Sequence, residues 1–361
     1  MNILILTYQG DVAGSTNSIS YLAKGLAKRG HRVYVGIRKE SLLFDMLEGS
    51  EVIRVPMTFN GRFDLENIAQ IKHLVKNEKI DIINAQSSYD RYSSVFARWL
   101  YRLPVKVVHT RRQISKSVGG FFQNLIYVNG THKVIAVSQG VKESLKKGGI
   151  PEKHIEVVYN GTPHDKYEAL DYGLVEKLRV KYDIQTSDKV IGSISRLKEQ
   201  EQILRALKYL PYKVKLVLGG IEKQEGWDEI IASYEQPHQV YFTGTISGQE
   251  ALAHYKIFDM NILASVIEGL SQSLLEAMYL KTPVIATNAA GNPDLVKHGY
   301  NGLLFENGNV EQLASQIVEL YESPSLKQTL ITNAYKTASE DFSIENTLNQ
   351  IEKLFLSLVK Q

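Results

Sequence analysis

The sequence predicts an α/β chain built from two doubly wound parallel-sheet domains, and three observations predict it. Short apolar runs such as Asn2–Tyr8, Val105–His109, Lys189–Ile194 and Asp259–Ala264 alternate with stretches of helical periodicity, the pattern of buried parallel strands joined by crossover helices. The length, 361 residues, is too great for one hydrophobic core and suits two. The composition, 43% hydrophobic and 22% charged, is that of a soluble globular chain, with no apolar run near the ~20 residues of a membrane span.

In the first half, Asn2–Tyr8 reads as a strand with no basic leader or cleavage site, so a cytoplasmic protein is expected. A loop, Gln9 to Asn17, leads to an amphipathic helix from Ser18 to Arg29 closed by Gly30, and His31–Ile37 is the next strand. Gly10 and Gly14 do not form the dinucleotide pattern G-x-G-x-x-G. Lys79–Ala85 is a strand, Tyr89 to Tyr101 a helix, and Val105–His109 a strand that leads into Thr110-Arg111-Arg112. One histidine and two arginines thus stand at the carboxyl end of a strand, where open α/β sheets bind ligands. His132–Ser138, the helix Gln139–Lys147 and Ile155–Tyr159 complete this half, and the polar stretch Thr162–Tyr172 reads as a linker.

In the second half, Lys189–Ile194 opens a new sheet whose exit carries Arg196 and Lys198. Val214–Gly220, a helix at Trp227–Ser233, Val240–Gly244 followed by Thr245-Ile246, and a capped helix Ser247–Lys256 come next. The organising stretch is Ser265 to Pro283, a loop and helix between the strands Asp259–Ala264 and Val284–Thr287. The helix opens near Leu270–Ser273, just past a strand, so its free N–H groups at Leu270, Ser271, Gln272 and Ser273 offer an anion site. Gly269, Ser273, Glu276 and Leu280 are spaced to share one helical face. Glu268 and Glu276 suit the holding of vicinal hydroxyls, but on spacing alone an ordinary helical salt bridge serves as well. Ser343–Val359 is a final amphipathic helix.

The continuation Pro283-Val-Ile-Ala-Thr, Gly291-Asn-Pro-Asp-Leu-Val and Gly299-Tyr-Asn-Gly-Leu-Leu-Phe makes Ser265–Phe305 resemble the donor-site signature of the retaining nucleotide-sugar glycosyltransferases of family 4 (glycosyl transferases group 1), which have the GT-B fold. Glu268, Gly269, Glu276, Pro283, Gly291 and Gly302 fit that pattern position by position. The resemblance is sharp from about residue 190 to 305 and general elsewhere. It implies two Rossmann-like domains facing a cleft: residues 1–165 for the acceptor, 166–342 for the donor, and a C-terminal helix, 343–361, crossing back to the first domain.

Several roles follow from the resemblance. Arg196 and Lys198 bind the donor diphosphate, although their spacing is shorter than usual and Glu199 stands where a glycine normally follows the lysine. Glu268 holds the donor sugar near its C3 and C4 hydroxyls, Glu276 the ribose diol, and Thr245 and Ile246 the base through their backbone. Gly14 faces the sugar phosphate, His109 is a polar group of the reaction cleft, and Arg111 and Arg112 lie on the acceptor side.

The expected function is transfer of a sugar from a nucleoside diphosphate sugar to a hydroxyl of a glycan or lipid-linked glycan. A nucleotide-sugar 2-epimerase of the same fold and a non-catalytic two-domain sugar-binding protein are the alternatives. No residues have metal-ligand spacing, so metal-independent chemistry is expected, with no cofactor besides the nucleotide-sugar co-substrate. The absence of cysteine excludes disulfides and thiol catalysis. Residues 1–165 carry 23 Lys/Arg against 14 Asp/Glu, although the whole chain is only +3. That asymmetry, with Arg111, Arg112 and Lys116 close to Phe121-Phe122, suggests peripheral contact with an anionic membrane. No nucleic-acid partner is expected.

Overall fold

The computed structural model describes residues 1–11, 14–113, 120–168 and 170–360. The chain divides into two compact units, Met1–Pro163 together with Ser343–Gln361, and His164–Phe342. Both are α/β, and every strand pairing within each sheet is parallel.

The first unit holds β1 (Asn2–Leu6), β2 (Arg32–Ile37), β3 (Ile53–Pro56), β4 (Ile82–Ala85), β5 (Lys106–Arg111), β6 (Lys133–Ala136) and β7 (Ile155–Val157). Their order across the sheet is β3-β2-β1-β4-β5-β6-β7. The central strand shows why these segments read as unbroken apolar runs. Ile3 and Ile5 pack into the core on one face of the sheet, and Leu4 and Leu6 into the core on the other. A strand covered by helices on both sides has no polar face to display.

The first of those cores is completed by the C-terminal helix. Ile344–Val359 places Leu348, Ile351, Phe355 and Leu358 in the same cluster as Ile3 and Ile5. It crosses the helix Gly14–Lys28 at Gly25, where a Cβ would stand 2.5 Å from Leu348 Cδ1 and would force that side chain to shift. Arg29 and His31 reach Glu352 at 3.0 and 2.8 Å, and Gly161 N donates to Thr347 Oγ1 at 2.8 Å.

The second unit holds β8 (Val190–Ile194), β9 (Lys215–Gly219), β10 (Gln239–Phe242), β11 (Met260–Leu263), β12 (Val284–Thr287) and β13 (Leu303–Phe305), in the order β10-β9-β8-β11-β12-β13. The winding direction reverses between β8 and β11. At such a switch point the loops leaving the two strands diverge and open a crevice beyond their carboxyl ends.

Where the structure departs from the sequence reading, the reasons are local. The stretch Thr162–Tyr172, expected to be a linker, contains the short helix Asp165–Glu168, and Asp171 caps a helix at Tyr172–Lys181. The Asn-Gly-Leu-Leu turn runs directly into edge strand β13. Residues 38–78, where patterning assigns no element, form helices Leu42–Met46 and Leu65–Asn77 and strand β3; that strand is half exposed and ends in proline, so it has no apolar run to reveal it. Among the described residues no helix is long and apolar enough to cross a membrane.

If the C-terminal helix belongs to the first core, Phe355→Ala should cost about 3–5 kcal/mol, the range for deleting a buried phenylalanine. Hydrogen exchange at the β1 amides in urea reads that unit directly. A loss under about 1 kcal/mol would mean that the helix is only loosely attached.

Candidate active site

The crevice between β8 and β11 is built from three loops. Residues 195–200 leave β8, and buried Gln200 pins them. Its Nε2 donates to Ser195 Oγ at 2.7 Å and to the Arg196 carbonyl at 2.8 Å, while its Oε1 accepts from Lys198 N at 2.6 Å. Glu199 N ties the same loop to the Ala264 carbonyl past the end of β11, at 3.2 Å. This framework replaces the glycine-containing turn usual in the resembling pattern. It leaves Arg196 exposed, with no ion pair of its guanidinium among the described residues. Lys198 is only partly exposed and pairs through Nζ with Glu268. Burial, then the Arg196 guanidinium, pushes the Lys198 ammonium down to about 8; its carboxylate partner pulls the other way.

The second loop carries Glu268. Thr287 Oγ1, on β12, accepts from Ser265 N at 2.9 Å, and Asn292 Nδ2 donates to the carbonyls of Ser265 and Thr287 at 3.3 and 3.1 Å. Gly291 presses on the loop so closely that a Cβ there would stand 1.7 Å from the Gly269 carbonyl oxygen. Glycine at 291 thus has a steric cause: one loop lies against the backbone of the other.

The helix itself is Gln272–Tyr279, capped by Ser271, whose Oγ accepts from Leu274 N at 3.4 Å and lies 3.1 Å from Ser273 Oγ. Because the cap falls at Ser271, the expected single face of Gly269, Ser273, Glu276 and Leu280 needs correction. Gly269 lies in the loop and buried Leu280 is the C-cap, so only Ser273 and Glu276 belong to the helix proper. Leu274, Leu275 and Met278 pack inward as expected, Leu270 is buried, and both amide atoms of Gln272 are buried without a hydrogen-bond partner.

Glu276 is the second half-buried carboxylate. Its side chain and that of Glu268 are each 14% exposed, and each is met by a lysine: Glu268 by Lys198, Glu276 by Lys166. Lys166 comes from the short helix Asp165–Glu168. That helix is held down by stacking of Tyr167 on Tyr279, with centroids 3.8 Å apart and planes at 14°, and by a 2.6 Å hydrogen bond between His164 Nδ1 and the Tyr279 hydroxyl. Behind Glu276 lies buried Tyr255, whose hydroxyl is raised well above its ordinary value by burial and then by the Glu276 carboxylate. Lys166, Tyr255 and Gln200 are the members that sequence reasoning missed. Lys166 sits in a segment without apolar periodicity, Tyr255 reads as an ordinary helix residue, and Gln200 stands in a stretch to which the patterning assigns no element. The third loop leaves β10: Gly220 N donates to the Gly244 carbonyl at 3.1 Å, and exposed Thr245 and half-buried Ile246 follow.

In the first unit, Gly14 is the first residue of the helix Gly14–Lys28, and its carbonyl accepts from Ser18 Oγ at 2.9 Å. His109 is buried on β5. Its Nδ1 bonds the Ala85 carbonyl at 3.0 Å and its Nε2 faces Arg91 Nη1 at 3.2 Å, an arrangement in which Nδ1 carries the proton. Burial, then Arg91 and Arg111, holds the ring well below its ordinary value and neutral. Arg91 is buried as well, stacked 4.1 Å over Tyr127. Arg112 turns inward, with Nε and Nη2 both on Gln86 Oε1 at 3.0 and 2.8 Å, and burial pushes it down to about 10. Arg111 is half-buried and donates to the Gln113 carbonyl at 2.9 Å. Lys116 and the side chains of Phe121 and Phe122 lie outside the described residues.

Two all-parallel units, one with paired cations and carboxylates at its switch point, define a protein of the GT-B class. Comparison with known proteins agrees. Residues 12–166 match the family described as Glycosyltransferase Family 4, and residues 175–337 match Glycosyl transferases group 1. The uncharacterized glycosyltransferase MJ1069 of Methanocaldococcus jannaschii is 28% identical over 232 residues, 63% of this chain and 58% of that protein. The capsular polysaccharide biosynthesis glycosyltransferase CapM of Staphylococcus aureus is 24% identical over 319 residues, 82% of each chain. The crystal structure of Anabaena Alr3699/HepE in complex with UDP has the same fold, with a TM-score of 0.83 at 24% identity, over 99% of this chain and 100% of that one. The chain belongs to glycosyltransferase family 4, the glycosyl transferases of group 1.

The loop contact at Gly291 gives a direct check on this architecture. Gly291→Ala should destabilise the second unit by about 1–3 kcal/mol, the usual cost of overpacking. An unchanged melting temperature would show that the two loops are not held in this contact.

Proposed function

We propose that the protein transfers a sugar, with retention of its anomeric configuration, from a nucleoside diphosphate sugar to a hydroxyl of a glycan or lipid-linked glycan of the cell-surface polysaccharide type. The observation that carries this reading is the pair of half-buried carboxylates, Glu268 and Glu276, each held by a lysine at the switch point of the second sheet. The relatives support it: CapM serves capsular polysaccharide biosynthesis, and the HepE structure is a complex with UDP.

In this reading the second unit takes the donor and the first the acceptor. Arg196 and Lys198 bind the diphosphate, joined by the N-terminus of Gln272–Tyr279. Glu268 accepts from sugar hydroxyls and Glu276 from the ribose diol; Thr245 and Ile246 border the base. As the bond from C1 to the phosphate oxygen breaks, negative charge grows on the leaving diphosphate, and the two cations oppose that charge. The acceptor oxygen bonds to C1 on the same face and its proton passes to the leaving phosphate oxygen. Neutralisation by side chains makes a divalent cation unnecessary. His109, enclosed and bonded at both nitrogens, positions Arg91 and the end of β5, while Gly14, Arg111 and Arg112 belong to the acceptor side. The protein works in the cytoplasm, peripherally at the membrane where a lipid-linked acceptor is presented.

The test is thermal shift against UDP, GDP, ADP and dTDP, followed by assay of the matching nucleotide sugars. A base present at 100 times its dissociation constant adds about 2.7 kcal/mol and stands out from the others. With that nucleotide, Glu276→Ala should bind about ten- to a hundredfold more weakly, as expected for loss of a hydrogen bond to a charged group worth about 1.5–3 kcal/mol. Unchanged affinity by calorimetry would make Glu276 structural, and no shift with any nucleotide would sink the reading.

A further inference from the structure

The helix Ser88–Tyr101 of the first unit is inside out. Its inward side buries Asp90, Arg91, Ser93 and Ser94 beside Val95 and Ala97. These polar groups are engaged: the Asp90 carboxylate accepts from Gln86 N and Ser87 N at 2.6 and 2.8 Å, Ser94 Oγ donates to the Asp90 carbonyl at 2.6 Å, and Arg91 meets His109. Its outward side carries Tyr92, Phe96, Trp99 and Leu100, spaced i, i+4, i+7 and i+8, which is one apolar stripe.

Other elements enlarge the stripe. The Phe63 ring lies 5.2 Å from Phe96 and 6.5 Å from Tyr92, and Trp99 meets Phe96 edge-on at 6.1 Å. The surface is open: Phe63 is 69% exposed, Leu65 75%, Trp99 40% and Leu100 64%. Cations border it. Arg62 stands over Tyr92 at 5.3 Å, Lys72 over Tyr101 at 4.4 Å, and Arg102 is exposed at the helix end. None of these three forms an ion pair among the described residues. Of the nearby carboxylates, Asp64 is spent on the cap of the next helix, and Glu66 lines the neighbouring cavity with Arg38, Lys39 and Gln70.

We propose that this face seats the protein on a lipid bilayer rich in anionic headgroups. The charge pattern selects that occupant. Unpaired cations around an aromatic patch complement an anionic leaflet, and tryptophan and tyrosine suit the interfacial zone. A second copy of the chain would set the same cations against each other. The inference deepens the membrane-facing part of the proposed function and names a surface that the basic stretch near Arg111 and Arg112 did not suggest; its test involves no sugar transfer.

The test is flotation of the full chain with vesicles of phosphatidylcholine alone or mixed with phosphatidylglycerol, at low and high salt. Binding should require phosphatidylglycerol and be released by salt. Brominated acyl chains should quench Trp99 but not Trp227, which is buried and stacked on Phe242. The variants Phe63→Glu/Leu100→Glu and Arg62→Glu/Arg102→Glu should each lower partitioning at least tenfold. Because these side chains are exposed, the melting temperature and the nucleotide-induced shift should not move. Absence of flotation, flotation indifferent to both variants, or a dimer in ultracentrifugation that the apolar variant dissociates would overturn the proposal. Intact flotation without any nucleotide shift would instead count only against the donor-site reading.

Discussion

The candidate site depends on one constraint: two carboxylates are held largely out of water, and each needs a cation. A half-buried ionised carboxyl without a partner is strongly destabilising, and removing one partner of such a pair leaves the other uncompensated. Lys198 meets this need for Glu268 and Lys166 for Glu276. The surrounding construction follows from it. Gln200 fixes the loop that delivers Lys198, and the stacked Tyr167 and Tyr279 fix the helix that delivers Lys166. In the proposed reaction Lys198 is a placeholder. A diphosphate offers it a stronger partner than Glu268, and sugar hydroxyls then donate to the freed carboxylate, while Lys166 stays beside Glu276.

Topology determines where this can happen. The reversal of winding between β8 and β11 opens the crevice, and Arg196, Lys198, Glu268 and Glu276 lie on the segments that leave the carboxyl ends of those two strands. The first unit has the same reversal, between β1 and β4, yet its strand-end residues are turned inward: His109 and Arg91 bond each other, and Arg112 bonds Gln86. The two units share a fold and differ in how they use its edge. One places charge at the edge of its crevice. The other encloses charge beneath a helix whose outer face is apolar.

Much of this was legible in the sequence. Strands covered on both faces announce themselves as apolar runs, as at Asn2–Leu6 and Val284–Thr287, and the spacing from Glu268 to Gly302 marked the loops of the second unit. Elements with little burial contrast were not legible, such as half-exposed β3 and the short helix Asp165–Glu168. Lys166 was hidden for the same reason, because its partner lies 110 residues away and no local pattern records the pairing. The Gly269 stripe failed through the cap. The helix opens at Gln272, within the Leu270–Ser273 stretch the sequence indicates, and its cap at Ser271 leaves Gly269 in the preceding loop, off the helical face. The apolar stripe Tyr92–Leu100 was present in the sequence, but periodicity does not say which face of a helix points inward.

The most direct test of the exchange is calorimetry of Glu268→Gln with the free nucleoside diphosphate and with the intact nucleotide sugar. If Lys198 must leave Glu268 to take the diphosphate, the variant should bind the free nucleotide more tightly than the native protein, since Lys198 is no longer engaged. It should bind the nucleotide sugar less favourably relative to that nucleotide, since the sugar has lost its acceptor. Weaker binding of the free nucleotide, or equal effects on both ligands, would contradict the account.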